Sequence, residues 1–151
     1  MATHLLFVCT GNICRSPMAE VLAQARAGEL GLDVQVQSAS LLGLSEEPAD
    51  PKAVAVCKEL GLDLSNHRAQ PVTPALVAWA DHILVMELRH ATELRFRHPD
   101  LDSRIAMIGP FGGLMEISDP LGGWKFTFRR CRDQLRACVD GFFSRMDSTL
   151  A

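Results

Sequence analysis

His4-Leu5-Leu6-Phe7-Val8-Cys9-Thr10-Gly11-Asn12-Ile13-Cys14-Arg15-Ser16-Pro17 is the stretch that decides the fold class. Residues 4–8 are a short apolar run, and Thr10-Gly11-Asn12 is turn chemistry. The run therefore reads as a buried strand that delivers its C-terminal end to a loop. A helix follows. Ser16 suits its cap and Pro17 its first position, while Ala19, Val21, Leu22 and Ala25 supply an apolar face that ends at Gly28. Glu20 lies one residue too late for a capping box.

Working outward, residues 34–38 alternate as a half-buried strand. Asp50-Pro51 opens a second helix, with Ala53, Val54, Val56, Cys57 and Leu60 inward and Gly61 as its stop. Residues 82–86 and 104–108 read as two further strands, with a helix over 88–97 between them. Trp124, Phe128, Cys131, Leu135, Cys138, Phe142 and Met146 recur at steps of four and three, which predicts a long amphipathic helix. Strands alternating with helices imply an α/β fold, a parallel sheet with helices on both faces, whose ligands bind beyond the carboxyl ends of the strands. The chain, 1–151, is expected to form a single domain.

The charge balance narrows the partners. Nothing in a net charge of -3 suggests a surface built to hold nucleic acid or acidic lipid, so any anion is expected to be caught locally. The N-terminus lacks a basic region, and the first apolar run is too short for a signal-peptide core or a membrane span; a cytoplasmic protein is expected. Five cysteines without a paired C-x-x-C pattern fit reduced thiols. His82, His90 and His98 are eight apart, a spacing that does not bring them together, so neither a metal nor another cofactor is expected.

The loop between the first strand and helix carries the chemistry. Backbone N–H groups of a tight loop and a helix N-terminus make a nest for a tetrahedral anion, a phosphate or sulfate ion, which Thr10, Gly11, Asn12, Ile13 and Cys14 would line. Gly11 lets backbone approach the ligand, and Asn12 tolerates left-handed geometry. The same field favours a thiolate at Cys9, whose pKa should fall from about 8.5 to roughly 3.5 to 7.5. Six residues on, Arg15 returns with a planar guanidinium able to grip two phosphate oxygens. Cys-x5-Arg alone is a weak signal in a chain with five cysteines. It gains weight because only Cys9 combines that spacing with a strand before it and a Pro-started helix after it.

Phe7 to Glu20, F-V-C-T-G-N-I-C-R-S-P-M-A-E, resembles the active-site signature of the low-molecular-weight protein tyrosine phosphatases. Val36 to Ser40, Glu59 to Ala69, Ala80 to Glu87 and Ile117 to Pro120 extend the resemblance over most of the chain. It implies a four-stranded parallel sheet between two helical layers and hydrolysis of phosphotyrosine through a phosphocysteine on Cys9. A carboxylic acid must then protonate the leaving oxygen and later activate water. Of two Asp-Pro pairs, Asp50-Pro51 reads as a helix cap, whereas Asp119-Pro120 lies in a Gly-rich loop able to reach a site. The family places its acid in the later pair, which points to Asp119.

The resemblance further implies that Ser16 donates to the Cys9 thiolate as well as capping, and that Asn12 fixes the loop. It implies that Cys14 forms a protective disulfide with Cys9, and that His67 braces the loop. Cys57, Cys131 and Cys138 read as core. The implied partner is a phosphotyrosine-bearing protein, such as the tail of a bacterial tyrosine kinase. The chain departs from the family in lacking tyrosine and in placing Leu41, Leu42, Leu44 and Leu121-Gly122-Gly123 where cleft aromatics are common. Ring contacts would then fall to Trp124 or to aliphatic side chains. Gln70 stands where many relatives carry a basic residue. An arsenate reductase on this loop would need further cysteines after the third strand, and Met86-Glu87-Leu88-Arg89 has none. A phosphoarginine phosphatase typically has Thr where Ile13 stands. A silent phosphate-binding module would not need Cys9, Arg15 and Asp119 together.

Overall fold

The structure is a computed structural model that describes residues 1–150, and for residues 147–150 the backbone alone; Ala151 lies outside the described residues. Four parallel strands, β1 (Thr3–Cys9), β2 (Val34–Ser40), β3 (His82–Val85) and β4 (Ile105–Met107), form one sheet in the order β2-β1-β3-β4. The helices are α1 (Arg15–Leu30), α2 (Pro51–Lys58), α3 (Pro74–Trp79), α4 (Leu88–Arg97) and α5 (Lys125–Leu150). Two 3-10 turns, Pro99–Arg104 and Gly109–Gly112, flank β4.

The period-two alternation of the strands assigns the two faces. Leu5, Phe7, Val36 and Leu84 join the core against α1, α2 and α5, whereas Leu6, Val8, Ala39, Ile83, Val85 and Ile105 join the core against α3 and α4. This is the three-layer α/β arrangement expected. β1 sits between two neighbours and is buried on both faces, which explains its unbroken apolar run. Among the described residues no helix is long and apolar enough to cross a membrane.

Several boundaries differ from expectation. Ser16 does not cap α1: the cap position falls on Cys14 with no side-chain hydrogen bond, and Ser16 lies inside the first turn because its hydroxyl is turned towards Cys9. α1 runs past Gly28 to Leu30, and Gly31, left-handed at φ 66°, closes it. Val21 and Ala25 are only half-buried; Met18, Ala19, Leu22, Ala23 and Ala27 make the inward face. Trp124 precedes α5 and is 74% exposed, so the inward stripe begins at Phe128. Asp50 does cap α2, accepting from Lys52 N–H with Pro51 behind it. α3 is an addition, started by the Thr73 hydroxyl accepting from Leu76 N–H.

Candidate active site

The loop from Cys9 to Arg15 leaves the C-terminal end of β1 at the middle of the sheet. Asn12, at φ 57°, makes the left-handed bend and is fully buried. Its side chain is satisfied on every side. Nδ2 donates to Ser16 Oγ and Ser38 Oγ, both at 2.9 Å, and Oδ1 accepts from Gln70 N–H at 3.0 Å. The Asn12 carbonyl meets His67 Nε2 at 2.7 Å. Ser38 passes its proton on to Glu20 Oε1, so Glu20, out of place for a capping box, anchors the loop instead. Since Ser16 Oγ accepts from Asn12, its own hydrogen is left for Cys9 Sγ, 2.9 Å away.

Asn12 N–H approaches the same sulfur at 3.3 Å. Among the described residues no group accepts from the N–H groups of Gly11, Ile13, Cys14 and Arg15. Unpaired donors around one concavity constitute an anion nest. Gly11 has an ordinary φ, and a Cβ there would meet Leu44 and Ile13 only at van der Waals distance, so its lack of a side chain widens the mouth without serving a turn.

Arg15 is 1% exposed, and its guanidinium is aimed by groups the sequence did not single out. Nη1 donates to Glu87 Oε2 at 2.6 Å and to the Ile117 carbonyl at 2.8 Å, while Nη2 stands 3.7 Å from Asp119 Oδ2. Burial pushes the Glu87 carboxyl up, but hydrogen bonds from Arg89 and Arg15 outweigh it and bring its pKa down to about 2. Thr10 Oγ1 accepts from Arg89 at 2.8 Å and meets His90 Nε2 at 2.9 Å. His90 Nδ1 accepts from Glu87 N–H, so Nε2 carries the proton and donates to Thr10. Burial, then the nearby charge of Arg15, brings the His90 pKa down to about 4, and the ring is neutral at pH 7.

Cys9, Arg15 and Asp119 line one cavity of about 110 Å³, floored by the loop and walled by Leu42, Leu44 and Leu121. Asp119 is at its rim, 40% exposed, with Oδ1 accepting from Leu121 N–H at 3.0 Å. Trp124 does not line the cavity, so the ring contacts available are aliphatic. Cys9 and Cys14 are both free thiols. Burial, with Asp50 and Asp119 adding to it, pushes the Cys14 thiol far above its ordinary range. Cys57 and Cys131 are likewise pushed up to about 12 by burial. Among the described residues no cluster of His, Cys, Asp or Glu has a metal-binding arrangement.

Sequence reasoning missed Glu87, Arg89 and His90. The available signal was positional: Glu87 follows β3, the neighbour of β1, at the carboxyl edge where such sheets bind ligands.

Comparison with known proteins places the chain in a family and matches its fold. The pattern of the family described as "Low molecular weight phosphotyrosine protein phosphatase" matches residues 4–150. The probable low molecular weight protein-tyrosine-phosphatase EpsP of Ralstonia nicotianae is 39% identical over 147 residues, 97% of each chain. A protein-arginine-phosphatase of Geobacillus stearothermophilus is 31% identical over 150 residues, 98% of this chain and 99% of that one. The solved structure of Vibrio vulnificus Wzb in complex with benzylphosphonate superposes with a TM-score of 0.88 at 31% identity, covering 95% of this chain and 98% of that one. The chain belongs to the low molecular weight phosphotyrosine protein phosphatases, a family of cysteine-dependent enzymes.

Proposed function

We propose that the chain hydrolyses phosphotyrosine on protein substrates, and aryl phosphates generally, with Cys9 as nucleophile, Arg15 as the phosphate clamp and Asp119 as acid and then base. The sulfur attacks phosphorus, the P–O bond to the ring breaks, and Asp119 delivers a proton to the departing phenolate oxygen. Asp119 then takes a proton from water, which attacks phosphorus, breaks the S–P bond and releases phosphate. Arg15 and the loop N–H groups hold the equatorial oxygens as charge spreads in the transition state.

One observation carries the reading: three side chains from distant parts of the sequence line a single cavity beside unpaired backbone donors. Hydrolysis of p-nitrophenyl phosphate should fall by roughly 10⁴-fold or more in Cys9→Ser. Full activity in that variant would discard the nucleophile.

A second reading, phosphoarginine as substrate, has support in the arginine phosphatase at 31% identity. Ile13, a cavity residue without a hydroxyl to orient water towards a P–N bond, favours phosphotyrosine. Release of phosphate from a phosphotyrosine peptide should be faster than from its phosphoarginine counterpart; the opposite order would reverse the choice.

A further inference from the structure

Behind Asp119 lies a second cavity of about 150 Å³. Ser118, Thr127, Arg130 and Gln134 line it, and Asp119 is the wall it shares with the catalytic cavity. Thr127, Arg130 and Gln134 are spaced by three and four along α5, which brings them onto one helical face. The volume has room for several waters, at ~30 Å³ each, and so for a short carboxylate side chain.

The basic residues at the start of α5 are not alike. Lys125, Arg129 and Arg132 all converge on Glu59, at 3.8, 2.7 and 2.7 Å, and Arg132 also holds Asp133. The Arg130 side chain is exposed and has no ion pair or hydrogen bond with any described residue. Asp119, the one acidic side chain in the lining, has Oδ2 towards Arg15 and Oδ1 on the Leu121 N–H. An unneutralised guanidinium therefore lines a cavity of mixed polar and apolar walls, next to the place where the reacting phosphate would sit.

We propose that this cavity is a subsite for the carboxylate of an acidic residue flanking the phosphotyrosine, held by Arg130 with Thr127 and Gln134 as further donors. The proposal rests on the phosphotyrosine reading above and adds a preference for acidic sequence context. Charge-assisted pairing at a partly exposed site favours the acidic peptide by roughly fivefold, an advantage that shrinks as salt rises.

The test compares phosphotyrosine peptides carrying one glutamate, placed in turn at each neighbouring position, with an all-alanine peptide. The wild-type protein should turn over at least one glutamate peptide with roughly fivefold higher kcat/KM, through a lower KM. Arg130→Gln should abolish the difference and Arg130→Glu should reverse it. p-Nitrophenyl phosphate carries no group to reach Arg130, so its turnover should be equal in the wild type and in Arg130→Gln. No preference in the wild type, or the same preference in Arg130→Gln, overturns the subsite while p-nitrophenyl phosphate turnover leaves the catalytic reading standing. Absence of turnover on every substrate overturns both.

Discussion

The floor and the rim of the catalytic cavity are built in opposite ways. On the floor, Asn12 and Arg15 are buried, and side chains or backbone from the ends of β2 and β3 and from the segments around His67 and Ile117 hold them. At the rim, Leu42 and Leu121 are 68% and 56% exposed. The hydrogen bonds there run from backbone, Leu121 N–H to Asp119, Leu44 N–H to Ser40 Oγ and Leu42 N–H to the Thr10 carbonyl, and leave the Leu42 and Leu121 side chains facing solvent. The floor uses buried polar side chains to hold one geometry, and each of those side chains has a partner, as a low-dielectric setting demands. The rim is free to vary. On the proposed roles, the interior holds the phosphate, while the rim supplies the acid, Asp119, and the exposed leucines that would meet the substrate.

Asp119→Ala probes the contrast most strongly. If the rim contributes chemistry but not stability, this variant slows phosphotyrosine turnover by roughly 10² to 10⁴-fold. Its unfolding midpoint in urea should shift by less than about 0.5 kcal/mol equivalent. A large loss of stability would place Asp119 with the floor.

Acid should affect the floor through His90. In the unfolded chain its pKa is near 6.5, in the fold about 4, so between those values the unfolded chain binds more protons and stability falls as pH is lowered. The loss is absent above 6.5, complete near 4, and bounded by roughly 3 kcal/mol. Glu87 has the same sign over a lower window. Its contribution is present above its ordinary 4.5 and lost as pH falls towards about 2. Urea unfolding from pH 8 to 4 should show a stability slope that His90→Gln flattens; an unchanged slope in that variant would remove His90 as its source.

Asn12→Ala should cost about 2 kcal/mol of stability, since it orphans buried partners and leaves a left-handed residue without its side-chain bonds. Denaturant unfolding measures the loss, and a neutral result would mean that the network does not brace the loop. The smallest effect belongs to the rim. Leu42→Trp should lower KM for a phosphotyrosine peptide by roughly threefold, by offering a ring face to the substrate ring, with kcat unchanged.

The same contrast explains what was legible in the sequence. Cys9 through Arg15 could be read because a strand, a turn and a helix start lie within one short stretch, and the three-layer sheet could be read from alternating apolar periods. Asp119 could be singled out because an Asp-Pro pair in a Gly-rich loop is a local signal and the family resemblance places its acid in that pair. Glu87, Arg89 and His90 carry no such mark; they reach Thr10 and Arg15 only because β3 pairs with β1. Ser16 reads as a cap in isolation, and its competing bond to Cys9 is visible only in three dimensions. The short helix α3 did have a local signal, Thr73 as a cap before Pro74 at the first helical position.

The most direct test of the central claim is a rapid-quench measurement on Asp119→Ala mixed with labelled p-nitrophenyl phosphate, followed by peptide mapping. p-Nitrophenolate is weakly basic and leaves without much help from an acid, so loss of Asp119 should slow the hydrolysis step more than the first and leave close to one phosphate per protein, attached to Cys9. Label on any other residue, or steady turnover with no covalent phosphate, would contradict the account.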